Sequence, residues 1–165
     1  MSKLVEKKPK GVLRWALHAP RWLYHIGLGW LMGERFLLLR YTGRKSGLQR
    51  ETLIEVVDHD RRQDAYYAAS GWGVKSDWFQ SIRANPEVHI QVGRRRMAAQ
   101  AQILDTEEAA RHLTTYAKKH PTAFHELSKL MIGKVLEGTE QECMELAQSI
   151  PIIAFQRLEK QNGSA

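Results

Sequence analysis

The chain has 165 residues, with 25 Lys and Arg against 18 Asp and Glu and a net charge of +7. At 43% hydrophobic and 26% charged, it is neither a disordered nor a membrane-embedded chain, and its length suits one domain with its own core. The single cysteine, Cys143, excludes an internal disulfide framework and points to a reducing, cytoplasmic setting.

The N-terminal stretch is basic, but the apolar run behind it is broken by Arg14, His18, Arg21 and His25, which does not fit a secretory signal. Residues 22–39 are the greasiest segment, yet His25, Glu34 and Arg35 interrupt them and argue against a membrane span. Helices are expected over 12–19 and, opened by Pro20, over 21–32. Trp15, Trp22, Ile26 and Trp30 fall on one helical face. Such a stripe serves core packing, or alternatively a membrane or substrate surface.

Residues 36–41 read as a strand, 42–47 as a turn between Gly43 and Gly47, and 50–58 as a second strand. In that second strand Thr52, Ile54 and Val56 share one face, and Leu53, Glu55 and Val57 the other. A third strand spans 65–70, followed by a Gly-Trp-Gly loop. Ser76 or Asp77 caps a short helix to Arg83, which Pro86 stops. Val88, Ile90 and Val92 alternate in a fourth strand, and a turn at Gly93 leads to a fifth over 96–104.

Asp105 with Glu108 opens a helix to about Lys119, a further helix is expected over 122–136, and Thr139 with Glu142 opens a last one over 141–149. Residues 151–158 return as an edge or closing strand. The order predicts an α+β fold. About six antiparallel strands curl into a barrel over 36–165, with helices flanking it, and 1–35 form an N-terminal helical segment of the same single domain.

The charge is uneven: residues 1–50 carry 11 basic and 2 acidic side chains, whereas residues 51–165 carry 14 basic and 16 acidic. A positive first third attracts phosphate, polyglutamate, nucleic acid or acidic lipid. Arg44, Lys45 and Ser46 stand in the Gly43–Gly47 turn, with Arg50 on the following strand, and this composes an anion seat from charge, hydroxyl and backbone donors. It is not a Walker loop, because the four-residue gap before Gly-Lys-Ser/Thr is missing. A basic hairpin turn without a ligand accounts for the same residues.

Four blocks carry a resemblance: Thr42-Gly-Arg-Lys-Ser-Gly47 with Arg50, Ala68-Ala-Ser-Gly-Trp-Gly73, Lys75-x-x-Trp78, and Arg83-Ala-Asn-Pro86-x-Val-x-Ile-x-Val-Gly93. In order and spacing they resemble the deazaflavin-dependent nitroreductase family, small split β-barrel proteins related in fold to flavin-binding barrels. The resemblance implies an oxidoreductase that uses reduced coenzyme F420, a deazaflavin with a phosphodiester and a glutamate tail. It transfers a hydride to a quinone, nitroaromatic or other conjugated acceptor.

By that resemblance Arg44, Lys45, Ser46, Gly47 and Arg50 bind the phosphate, Ser70, Gly71, Lys75 and Trp78 lie along the deazaflavin ring, and Tyr116 positions or protonates the acceptor. This ring loop is shorter than in the best-known members, and Ser81 replaces an asparagine. The shorter loop motivates a second reading, a same-fold carrier or sensor that holds FMN, haem or no cofactor. A homodimer and peripheral membrane contact through the N-terminal helices are further expectations.

Other constellations point less far. His112 and Tyr116 share a helical face without an evident carboxylate to orient the imidazole, and His120 and His125 lack the convergent partners of a metal site. Glu55 is a general base if buried, or a partner for a neighbouring arginine. Nucleic-acid binding is not expected, since the tryptophans follow helical spacing and not a strand face.

Overall fold

The computed structural model describes residues 33–70 and 73–159. The expected helices over 12–19 and 21–32, the tryptophan stripe and Gly71 lie outside the described residues.

Six strands form the barrel: β1 (Phe36–Thr42), β2 (Gln49–Asp60), β3 (Ala65–Ala69), β4 (Glu87–Val92), β5 (Arg95–Ile103) and β6 (Ile152–Arg157). All pairings are antiparallel, and the sheet closes in the order β1-β2-β3-β6-β5-β4. The last strand therefore closes the barrel between β3 and β5, and so leaves no free edge there. Helix α1 (Asp77–Ala84) lies between β3 and β4, while α2 (Thr106–Lys119), α3 (Pro121–Ile132) and α4 (Glu140–Ser149) lie between β5 and β6.

Period-2 alternation divides the apolar side chains into two cores. Leu37, Leu39, Ile54, Val56, Tyr66, Ile90, Ile153 and Phe155 fill the barrel, and Trp78, Phe79 and Ile82 of α1 join them. Val57, Tyr67, Ile152 and Ala154 face outward, under Leu113 and Tyr116 of α2, Phe124 of α3, and Cys143 and Leu146 of α4. Each fully buried Leu, Ile or Phe contributes about 1.5–3 kcal/mol, so the helices are held to the barrel by their apolar faces. β3 is buried along its whole length because the two cores lie on its two faces.

Local signals set the ends of the helices. Asp105 accepts from the Glu108 N–H at the start of α2, and Thr139 with Glu142 forms a reciprocal capping box on α4. The helix expected to reach Leu136 ends at Ile132 instead, because Gly133 takes a left-handed conformation (φ 73°) that terminates it. β2 runs two residues past its expected end and carries a bulge between Val56 and Asp58. Alternation alone puts Val57 in the outer core, and the extra residue lets Asp58 face the helices as well.

Candidate active site

Two sites emerge, one at the β1–β2 turn and one in a groove between β2 and the helices. The turn is closed by Gly43 N–H donating to the Leu48 carbonyl and Gly47 N–H to the Gly43 carbonyl, both at 2.8 Å. Gly47 has φ 67°, a conformation that costs other residues strain. Ser46 Oγ accepts from Leu48 N–H at 3.3 Å. The Arg44 N–H donates to Ser81 Oγ at 3.2 Å and so ties the turn to α1, and Ser81 is fully buried. The serine that departs from the resembling family's asparagine is thus the fastener of the turn.

Arg50 folds back across Gly43. A Cβ built there would lie 2.8 Å from Ser46 Oγ and 3.1 Å from Arg50 Nε. The missing side chain is what lets a hydroxyl and a guanidinium close over the same backbone. Arg44, Lys45, Ser46 and Arg50 are exposed, and an open groove of about 500 Å³ lined by Arg40, Tyr41, Gln49, Arg50 and Glu51 runs beside them. Asp77, the first residue of α1, sits between the two arginines, 4.0 Å from Arg44 Nε and 3.5 Å from Arg50 Nη1. Exposed ion pairs of this length contribute at most about 1 kcal/mol. Asp77 therefore competes only weakly with a stronger anion for the two cations.

The same helix start receives the ring-loop residues. Buried Ser70 donates to the Gly73 carbonyl at 2.8 Å and lies 3.3 Å from Ser76 Oγ. Ser76 donates to that carbonyl as well, so no side chain caps the first turn of α1. Lys75 is exposed one residue before Ser76. Trp78 lies in the barrel core, packed edge-on against Phe79 with ring centres 6.2 Å apart, and it anchors α1 from below. The structure therefore gathers Arg44, Lys45, Ser46, Gly47, Arg50, Ser70, Lys75 and Trp78 around one short helix.

Tyr116 is elsewhere. It lies on the helix-facing side of β2, and Glu55, its partner, is five residues from Arg50, about 17 Å along the strand. Its hydroxyl donates to Glu55 Oε1 at 2.5 Å. Burial pushes the Glu55 carboxyl up, although the bond from Tyr116 and the nearby Arg35 pull the other way. Burial and the Glu55 charge push the Tyr116 hydroxyl far up, so it stays protonated. Tyr116 lines a groove of about 380 Å³ with Arg35, Val56, Asp58, His59, Lys119 and His120 among its walls.

Two partnerships here escape the sequence. His112 does have an orienting carboxylate: its Nδ1 is 2.9 Å from Asp58 Oδ2, and the imidazole stacks on Tyr67 at 3.7 Å. The β2 bulge supplies that aspartate, and nothing local in the sequence marks a bulge there. The bond from His112 holds the Asp58 carboxyl below its ordinary range. Of the two residues expected to cap α1, Ser76 takes the N-cap position without a side-chain capping bond, and Asp77, the first helical residue, pairs with the arginines. Among the described residues no three or more His, Cys, Asp or Glu side chains cluster as metal ligands, and no helix is long and apolar enough to cross a membrane.

Comparison with known proteins brings these observations together. A family model described as F420H(2)-dependent quinone reductase matches residues 23–129, which span both the turn and Tyr116. A Mycobacterium tuberculosis protein, provisionally named F420H(2)-dependent quinone reductase Rv3178, is 27% identical over 86 residues, covering 52% of this chain and 72% of the relative. Among solved structures, an F420-H2 dependent reductase (FDR-A) aligns with TM-score 0.51 and 19% identity over 75% of this chain and 96% of its own. A Clostridium acetobutylicum protein related to general stress protein 26, of the pyridoxinephosphate oxidase family, aligns with TM-score 0.51 and 6% identity over 82% of this chain and 83% of its own. The two structures share the fold.

Proposed function

We propose that this chain, which belongs to the F420H(2)-dependent quinone reductase family, binds reduced coenzyme F420 at the β1–β2 turn and reduces a quinone in the groove beside Tyr116. Nitroaromatic and other conjugated acceptors of similar size belong to the same reading. The observation that carries it is the convergence of Arg44, Lys45, Ser46 and Arg50 on a glycine turn fastened to α1 through Ser81.

The donor set fits the anionic part of the cofactor. Arg44, Arg50 and Lys45 supply positive charge, Ser46 a hydroxyl, and Gly43 the space in which they close. Ser70 and Lys75, with Gly71 between them in sequence, would lie along the ring, and Trp78 would act from the core by fixing α1. When bound, the reduced deazaflavin supplies a hydride to the acceptor. The chain holds the acceptor close, excludes water along the apolar wall of Val56, Val57 and Ala123, and keeps a protonated Tyr116 hydroxyl at the groove. No side-chain nucleophile is required.

The test is a fluorescence titration of F420 with the purified chain, followed by oxidation of F420H2 by a naphthoquinone. Quenching that saturates and weakens with salt, together with quinone-dependent oxidation, is expected. A folded protein that leaves the fluorescence unchanged, or one isolated with bound FMN or haem, would overturn the assignment.

A further inference from the structure

We propose that Glu55 is a positioning residue and proton store for this reaction, holding Tyr116 by its hydroxyl and releasing that hydroxyl to the acceptor groove when protonated. The inference rests on the reading above that the acceptor sits beside Tyr116. Tyr116 is among the residues lining the groove and Glu55 is not, and the two meet at 2.5 Å between the hydroxyl and Oε1.

The argument is one of donors and acceptors. An ionised carboxylate only accepts, so it takes the single hydroxyl proton of Tyr116 and keeps that proton turned away from the groove. A protonated Glu55 donates instead. Tyr116 Oη then accepts, and its own O–H is free to turn toward a bound acceptor. Four groups face Glu55: Tyr116 of α2, Arg35 at 3.7 Å from the segment before β1, Glu126 of α3, and His120 at the α2–α3 junction. Burial and Glu126 favour the protonated carboxyl, whereas Tyr116, Arg35 and His120 favour the ion, and burial is the largest of these effects. Glu55 therefore titrates above the usual carboxylate range.

The step balances as follows. The quinone receives a hydride, with both electrons, from the reduced deazaflavin, and a proton from Tyr116 Oη as that O–H bond breaks. The Glu55 O–H breaks in turn and returns a proton to Tyr116 Oη. The products are hydroquinone, a Glu55 carboxylate and the oxidised cofactor, whose remaining ring proton passes to solvent; Glu55, part-exposed, takes a proton back from solvent, so the overall reaction consumes none.

Glu55→Gln and Tyr116→Phe test this, first without cofactor. Infrared pH titration of the wild-type protein is expected to show a carboxylic acid band that persists above the usual carboxylate range and is absent from Glu55→Gln. In turnover, wild-type kcat should fall as pH rises through the same midpoint. Glu55→Gln should be about 100-fold slower and lack that pH step, with unchanged affinity for F420. Adding Glu55→Gln to Tyr116→Phe should cost nothing further, because Glu55 acts through Tyr116. An active Glu55→Gln with the wild-type pH profile, an additive double variant, or no titrating band removed by the substitution each overturns the role of Glu55 alone. A wild type that oxidises no F420H2 with any quinone overturns the functional reading and this role with it.

Discussion

Gly43→Ala probes the anion seat with one added methyl. Gly43 is not among the glycines with positive φ, so its backbone accepts alanine and the effect is purely steric. The new Cβ would lie 2.8 Å from Ser46 Oγ, 3.1 Å from Arg50 Nε and 3.3 Å from Arg50 Cδ. All three atoms belong to side chains that can swing away.

The folding cost is therefore small. Ser46 gives up a 3.3 Å bond to the Leu48 N–H, and Arg50 gives up an exposed 3.5 Å contact with Asp77. Together these cost about 1 kcal/mol. Binding loses more, since the guanidinium and the hydroxyl no longer close over the turn. A hydrogen bond to a charged group contributes about 1.5–3 kcal/mol, which corresponds to a loss of roughly 10–100-fold in F420 affinity. Fluorescence titration reads the affinity, and a thermal melt of the same sample reads the stability. An affinity equal to wild type would refute the reasoning, because it would mean that Arg50 and Ser46 hold nothing. A collapse of the melting temperature would refute the assignment of the strain to movable side chains.

Two further substitutions test neighbouring parts of the argument. Asp77→Asn removes the carboxylate between Arg44 and Arg50. F420 binding should tighten by up to about 5-fold at low salt, consistent with about 1 kcal/mol of relieved competition, and converge with wild type at high salt; weaker binding at every salt concentration would show that Asp77 is needed to orient the arginines. Asp58→Asn should lower the free energy of unfolding by about 1–2 kcal/mol at neutral pH, by losing the charged bond to His112. The Asp58 carboxyl is held below its ordinary value of about 4, so its stabilisation is complete above that value and disappears as pH falls through the lower folded-state value. Denaturant unfolding curves should accordingly show the gap between wild type and variant closing in acid, and a constant gap would count against the pairing.

Much of the fold was legible along the chain because its causes are local. Alternation in Val88, Ile90 and Val92 assigns a strand and its inner face, whatever the strand pairs with. Thr139 with Glu142 marks the start of α4, since the capping box needs only residues three apart. The Gly43–Gly47 turn and its cations are likewise adjacent in sequence, so the cationic turn could be read directly. The end of α3 was misplaced because helix-forming residues continue past Gly133, and a single left-handed residue outweighs them.

What the sequence alone determined is the set of strands, turns and caps, and the cationic turn, each resting on contacts within a few residues. Only the closed barrel decided which distant groups meet. Ser81 fastens Arg44 across 37 positions, Asp58 finds His112 across 54, and Tyr116 reaches Glu55 across 61. Those meetings depend on strand register and on one extra residue in β2, which re-aims Asp58 toward α2. Register follows from how two whole apolar faces pack, and no short window of residues contains that information.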